Sequence, residues 1–201
     1  MMKFLENCDF CIDKSDSKNR LAWRTITETE NFRIFLTLGQ IVEGYLLIAP
    51  KEHYSCIGAM PDKQIDEFIA LKEKIGNKLQ KAYGPAIFFE HGVIGQTVLH
   101  AHMHAIPFPY EKDLFENYAK IFPKYRKLDS LKELKDVWTK EGVYLYYEIN
   151  THKYAFFTHI VPQYARITVA NALGVPERAN WRAMPRELDE ILIKNAIEKL
   201  K

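Results

Sequence analysis

Three histidines stand at strict alternation in His100-Ala101-His102-Met103-His104-Ala105-Ile106, with small or apolar residues filling the gaps. On an extended strand side chains alternate faces and rise about 3.3 Å per residue, so all three imidazoles point one way, about 6.6 Å apart. Ala101, Met103 and Ala105 then face a core. A row of titratable, nucleophilic, metal-capable groups on an apolar strand is costly unless the groups bind or react with something. Four of the seven histidines fall at positions 91 to 104, so an exposed strand face that merely happens to carry histidine is the weaker reading.

The flanking sequence supplies a sheet for this strand. Phe32 to Leu38 and Gly44 to Ala49 are short β-branched, aromatic and aliphatic runs separated by Gly39-Gln40-Ile41-Val42-Glu43, and Pro50 closes the second. Pro61-Asp62 opens an amphipathic helix in which Ile65, Phe68, Ile69, Ile75, Leu79 and Ala82 recur at helical spacing until Gly84-Pro85. Lys72 interrupts that stripe, its stem expected to lie along the apolar face while the ammonium reaches water. Ala86 to Glu90 reads as a third strand, Gly92 to Val98 as a loop and Leu99 to Pro107 as the histidine strand. Strands and one long helix in this order predict an α+β fold with an antiparallel sheet.

After Pro107-Phe108-Pro109 the character changes, and residues 111–140 are charged and lysine-rich. A boundary near 110 divides an N-terminal domain, 1–110, from a C-terminal α/β extension, 111–201. Within the extension, Val143 to Ile149 and Lys153 to Thr158 flank Asn150-Thr151-His152 as a hairpin, and Gln163 to Leu173 and Arg186 to Lys199 read as helices. Phe122 to Lys127 interleaves aromatic and basic residues, a pattern nucleic-acid surfaces also use, although a solvated helix face is the favoured reading.

The chain of 201 residues carries 28 basic and 26 acidic side chains, a net charge of +2. That balance argues against a nucleic-acid scaffold or a membrane-surface protein. Met1 to Phe10 lacks the apolar run of a signal peptide, and no stretch approaches the roughly 18 apolar residues of a membrane helix. Three cysteines point to a reducing, cytoplasmic compartment. Cys8 and Cys11 form a CxxC pair, the geometry of half a tetrahedral zinc site, whose other ligands must come from elsewhere in the chain.

Gly95-Gln96-Thr97-Val98 precedes the histidine run, and Gly44-Tyr45-Leu46-Leu47-Ile48-Ala49-Pro50-Lys51-Glu52-His53 lies upstream. Together these segments resemble the histidine triad (HIT) superfamily, whose signature alternates three histidines with apolar residues, over roughly residues 5 to 108. The resemblance implies hydrolysis or transfer of a nucleotidyl group at an α-phosphate, generally by a homodimer, with a small-molecule nucleotide as partner. It implies that His102 is the nucleophile, forming a nucleotidyl-histidine, and that His104, Gln96 and Thr97 hydrogen-bond the phosphate oxygens where charge develops. It implies a structural Zn²⁺ on Cys8, Cys11, His53 and His100, and a ribose contact at Thr37. Neutral imidazole is a good nucleophile at phosphorus, so this chemistry also makes sense from the residues alone.

Glu90 departs from the superfamily's nucleotide hydrolases, which carry a neutral group there; a carboxylate facing phosphates would repel them, and pairing with a histidine or a basic side chain is the alternative. Arg166 and Arg182, in the extension, are candidates to reach an anionic ligand. Two further functional readings remain: a non-catalytic nucleotide-binding or sensing protein, and a hydrolase acting on adenylated nucleic-acid ends.

Overall fold

A computed structural model describes residues 8–11, 21–93, 95–157 and 162–201. Eight strands, β1 (Thr25–Glu28), β2 (Phe32–Leu36), β3 (Leu46–Pro50), β4 (Ala86–Gly92), β5 (Met103–Pro107), β6 (Tyr125–Leu128), β7 (Tyr144–Ile149) and β8 (His152–Phe156), form one sheet in the order β1-β2-β3-β5-β4-β7-β8-β6. Every pairing in it is antiparallel. Among the described residues five α-helices flank it: α1 (Asp62–Tyr83), α2 (Phe115–Ile121), α3 (Leu134–Glu141), α4 (Tyr164–Ala172) and α5 (Arg186–Leu200). The α+β reading of the sequence holds.

Alternation along the strands sorts the apolar residues into two cores. On one face Ile34, Ile48, Phe88, Met103 and Ala105 pack with Ile65, Phe68, Ile75 and Leu79 of α1, Val137 of α3 and Ile193 of α5. On the other, Phe35, Leu47, Phe89, Ile106 and Leu145 pack with Tyr118 of α2 and Ala165 and Val169 of α4. Ala101, Met103 and Ala105 therefore face the core on the α1 side, as the spacing predicts.

One sheet takes strands from both sides of residue 110. β7 lies beside β4 in register from Ile87↔Ile149 to Gly92↔Tyr144, so strands of the extension continue the N-terminal sheet. Two buried polar networks cross the same junction. Lys72 Nζ donates to both carboxylate oxygens of Glu148 at 2.6 and 2.7 Å, and Tyr146 Oη donates to Oε2 at 2.5 Å. Lys72 is buried at 6% exposure, with its ammonium 4.4 Å from the centre of the Phe88 ring. It does not snorkel: a carboxylate from β7, 76 residues away, meets it inside the core.

Three other sequence expectations are corrected. The histidine strand is shorter than Leu99 to Pro107: the β3–β5 ladder ends at Ile48↔Met103, because β3 closes at Pro50 and its chain turns away. His100 and His102 thus lie on the approach to β5, held by the Ala101 N–H bonded to the Tyr54 carbonyl at 2.7 Å. Phe122 to Lys127 is no helix face either. Pro123 follows the end of α2, and Tyr125–Leu128 alternates exposed and inward residues as an edge strand on β8. Of the hairpin, Thr158 lies outside the described residues.

Glu90 is the third correction. It sits on β4 one residue away from Phe89 and His91, so its side chain points to the α1 face and away from the histidines. Among the described residues it pairs with no basic side chain; its carboxyl accepts from the Ile57 N–H at 2.7 Å and the Tyr144 hydroxyl at 2.6 Å.

Candidate active site and metal centre

Although only His104 belongs to β5, the three histidines share the face opposite α1, and all are buried. His102 and His104 have ring centres 4.8 Å apart, and His104 stacks on Phe89 of the neighbouring strand at 4.2 Å. His102 Nδ1 lies 2.6 Å from the main-chain carbonyl of His100. A carbonyl only accepts, so the proton resides on Nδ1 and Nε2 carries the lone pair. Burial pushes the His102 imidazole down to about 4, against the opposing pull of the His100 carbonyl, so it is neutral at pH 7.

His104 is also held well below its ordinary range by burial, with the charge of Arg166 among the lesser causes. Its Nδ1 is 2.6 Å from the Tyr45 hydroxyl, while its Nε2 is buried with no hydrogen-bond partner among the described residues. A buried polar nitrogen left open beside a cavity is a place for a ligand atom. His91 lies next to it, with ring centres 5.8 Å apart and its own Nε2 unpartnered.

A second cluster adjoins the first. Single donor atoms of Cys8, Cys11, His53 and His100 all lie within 4.8 Å of one another. Cys8 Sγ and Cys11 Sγ are 3.4 and 3.5 Å from His100 Nδ1, and Cys11 Sγ is 3.3 Å from His53 Nδ1. Tetrahedral bonds of about 2.3 Å to sulfur and 2.0–2.1 Å to nitrogen place S and N ligands roughly 3.5 Å apart, so the donor set fits Zn²⁺. His100 Nε2 lies 2.8 Å from the Pro50 carbonyl, which puts its proton there and frees Nδ1. Such a carbonyl orients a metal-binding imidazole.

The two clusters share a wall. Phe10, between the two cysteines, packs edge-on against His100 and His102 at 5.9 and 5.3 Å and against Phe35 at 5.2 Å. Beyond it opens a cavity of about 270 Å³, bordered by His102, His104, Thr37, Thr97, Phe10, Arg24, Arg166 and Trp181 among others.

A family described as "Protein similar to CwfJ C-terminal" matches residues 1–122. An uncharacterised HIT-like protein of Methanocaldococcus jannaschii is 36% identical over 93 residues, covering 45% of this chain and 71% of that protein. The chain is a HIT-like protein of the CwfJ C-terminal type. Zinc finger CCCH domain-containing protein 64 of Arabidopsis thaliana is 23% identical to this HIT-like chain over 200 residues, 88% of the chain. The chain spans 32% of that relative's length. A solved structure from Streptococcus mutans is 30% identical, with a TM-score of 0.45, over 53% of this chain and 69% of that one.

Of the residues singled out in this HIT-like chain, His102, His104, Thr37 and Thr97 border one cavity, and Cys8, Cys11, His53 and His100 form one cluster. Gln96 is engaged elsewhere: its amide nitrogen donates to the Ser55 carbonyl at 2.9 Å, and it does not border the cavity. Arg166 borders the cavity, whereas Arg182 is exposed and stacks on the Trp181 ring at 4.2 Å. Sequence reading gave no role to Phe10, Arg24, Tyr45 or Trp181. Tyr45 carried a faint signal, since it shares strand parity with Leu47, which pairs with His104. Arg24 and Trp181 carried none, because they reach the site by long-range packing.

Proposed function

We propose that this protein is a nucleotidyl hydrolase or transferase in which His102 Nε2 attacks the α-phosphorus of a nucleotide. A nitrogen–phosphorus bond forms, the bond from phosphorus to the leaving group breaks with its electron pair, and water or a second acceptor later displaces the histidine. The observation that carries this reading is the tautomer of His102, whose Nδ1 proton is held by the His100 carbonyl at 2.6 Å so that the nucleophilic nitrogen is Nε2. His104 Nε2 donates to a non-bridging phosphate oxygen, since Tyr45 occupies its other nitrogen. Thr97, which borders the same cavity, hydrogen-bonds another phosphate oxygen, and Thr37 meets the ribose.

Zn²⁺ on Cys8, Cys11, His53 and His100 is structural in this reading, because four protein ligands leave no open position for substrate. It ties the CxxC loop, and with it Phe10, to the nucleophile. Were this protein to form a homodimer, β7 would keep a second copy off the β4 edge, leaving β1, β6 or a helical face.

The test compares wild type and His102→Ala on phosphoramidates, dinucleoside polyphosphates and nucleotide sugars. Wild type releases a nucleoside monophosphate from at least one class, and the variant loses at least about 10³ in rate. Quenched wild type carries a nucleotidyl adduct by mass spectrometry. Equal product from the two proteins would refute the role of His102.

A further inference from the structure

The cavity beside His102 and His104 is bordered by two cations that the nucleophile's chemistry leaves unused. Arg24 lies just before β1 and Arg166 in α4 of the extension, 6% and 3% exposed respectively. Among the described residues neither makes an ion pair. Their polar contacts are almost wholly to neutral groups. Arg166 Nε donates to the Ala179 carbonyl at 3.1 Å, and Nη2 donates to the Gly39 and Arg178 carbonyls at 2.7 and 3.3 Å. Arg24 Nη1 donates to the Leu36 carbonyl, and its guanidinium lies over the Phe35 ring. Main-chain carbonyls and rings orient a guanidinium but do not cancel its charge.

Two carboxylates act on Arg24 from further away. Burial pulls its pKa down to about 10, with Asp189 and Asp9 opposing. Asp189 is already committed to the Gly39 and Gln40 N–H groups at 2.9 and 2.8 Å, and Asp9 is exposed. Asp189 and Asp9 therefore offset the Arg24 charge only from a distance, and a guanidinium taken out of water without a carboxylate in direct contact is costly, two at one cavity more so. A ligand that supplies negative charge at the cavity offsets that cost.

We propose that Arg24 and Arg166 form a second anion subsite, which takes a further phosphate of the nucleotide whose first phosphate is held at His102 and His104. The proposal deepens the nucleotide reading above and rests on it for the identity of the ligand. Arg166 adjoins the histidine end: its guanidinium carbon is 5.1 Å from the centre of the Tyr45 ring, and Tyr45 bonds His104. Arg24 stands at the Phe35 side, next to the Phe10 wall. A single phosphate meets the neutral imidazoles of His102 and His104; a second one brings its charge to the arginines. Both side chains are fixed before the ligand arrives, so little entropy is lost on binding. The extension is packed tightly where it delivers Arg166. A Cβ at Gly39, whose φ is +72°, would lie 2.4 Å from Trp181 Cβ and 3.0 Å from Arg166 Nη2.

The experiment uses the full chain carrying His102→Ala, so that nothing turns over, and calorimetric titration with adenosine 5′-monophosphate, adenosine 5′-diphosphate, inorganic phosphate and pyrophosphate. The diphosphate binds at least about tenfold tighter than the monophosphate, the worth of one or two charge-assisted hydrogen bonds. Adding Arg24→Gln brings that ratio to within about twofold while the monophosphate affinity holds within about threefold. If Arg24→Gln does not fold, Arg24→Lys keeps the charge but loses the fork, and the ratio drops at least about threefold. No gap in the parent, or an unchanged gap in the variants, overturns the subsite. If neither nucleotide binds but pyrophosphate exceeds phosphate in an Arg24-dependent way, the nucleotide reading fails and the subsite stands.

Discussion

Replacing Glu90 by glutamine tests the buried junction between β4 and β7 through its pH dependence. Burial raises the Glu90 carboxyl from 4.5 to about 8, outweighing the hydrogen bonds from Tyr144 and Ile57 that favour the carboxylate. The titratable neighbours facing it are the hydroxyls of Tyr144 and Tyr146 and the thiol of Cys56, all neutral at pH 7. The folded protein thus holds a proton on Glu90 across an interval where the unfolded chain has released it. Stability falls as pH rises wherever the native state binds more protons, by about 1.4 kcal/mol per pH unit for one group. The stabilising share of the protonated acid is fully present below about pH 4.5 and is lost by about pH 8. Three and a half pH units at that slope total on the order of 5 kcal/mol. Glutamine mimics the neutral acid and does not titrate. Denaturant unfolding of wild type and Glu90→Gln at pH 5, 6, 7, 8 and 9 reads the difference, in which other groups cancel. The variant gains on wild type by about 1 kcal/mol or more per unit between pH 5 and 8, then levels off. A difference that stays flat over that range would show that Glu90 is ionised in the fold, and the reasoning would fail.

Two other outcomes follow from the same geometry. Lys72→Ala strands the Glu148 carboxylate in the core and destabilises the fold by about 3–5 kcal/mol, whereas Lys72→Met with Glu148→Leu recovers most of that loss; thermal or denaturant melting distinguishes them, and equal stability of the single variant and wild type would contradict the buried pair. Protein purified without added zinc contains close to one equivalent of the metal by elemental analysis, and Cys11→Ser loses most of it, while a wild-type content near zero would sink the metal centre.

What could be read from the sequence was what repeats locally. The spacing of Ile65, Phe68, Ile75 and Leu79 marked α1, and alternation put Ala101, Met103 and Ala105 in one core with the histidines opposite. The resemblance to the HIT superfamily added His53 and His100 to the Cys8 and Cys11 pair, and the structure gathers those four donors. Local pattern does not reveal where a ladder stops, which is why the histidine strand is shorter than its periodicity suggests. Nor does it pair Lys72 with Glu148, a contact across 76 residues. Glu90 was misjudged for a related reason: a residue's chemistry names possible partners, and only its strand parity decides which face it meets.

The position of the extension explains why the site could not be completed from the triad alone. The family match ends at residue 122, yet β7 fills the β4 edge, and Glu148 and Tyr144 satisfy polar groups of α1 and β4 that would otherwise be buried without partners. Those contacts fix the extension on the sheet, and α4 is thereby laid over the histidine face, where Ala165 and Val169 join the same core as Phe35 and Phe89. Arg166, one residue from Ala165, is then carried to the cavity on a rigid element whose neighbours are main-chain carbonyls. His102 and the four clustered donors Cys8, Cys11, His53 and His100 come from the part of the chain that the family model covers, and the positive charge of Arg166 comes from beyond it, in a region that the Arabidopsis thaliana relative also matches. On the nucleotide reading proposed above, selectivity among anionic ligands is the property that this placement of Arg166 bears on most directly.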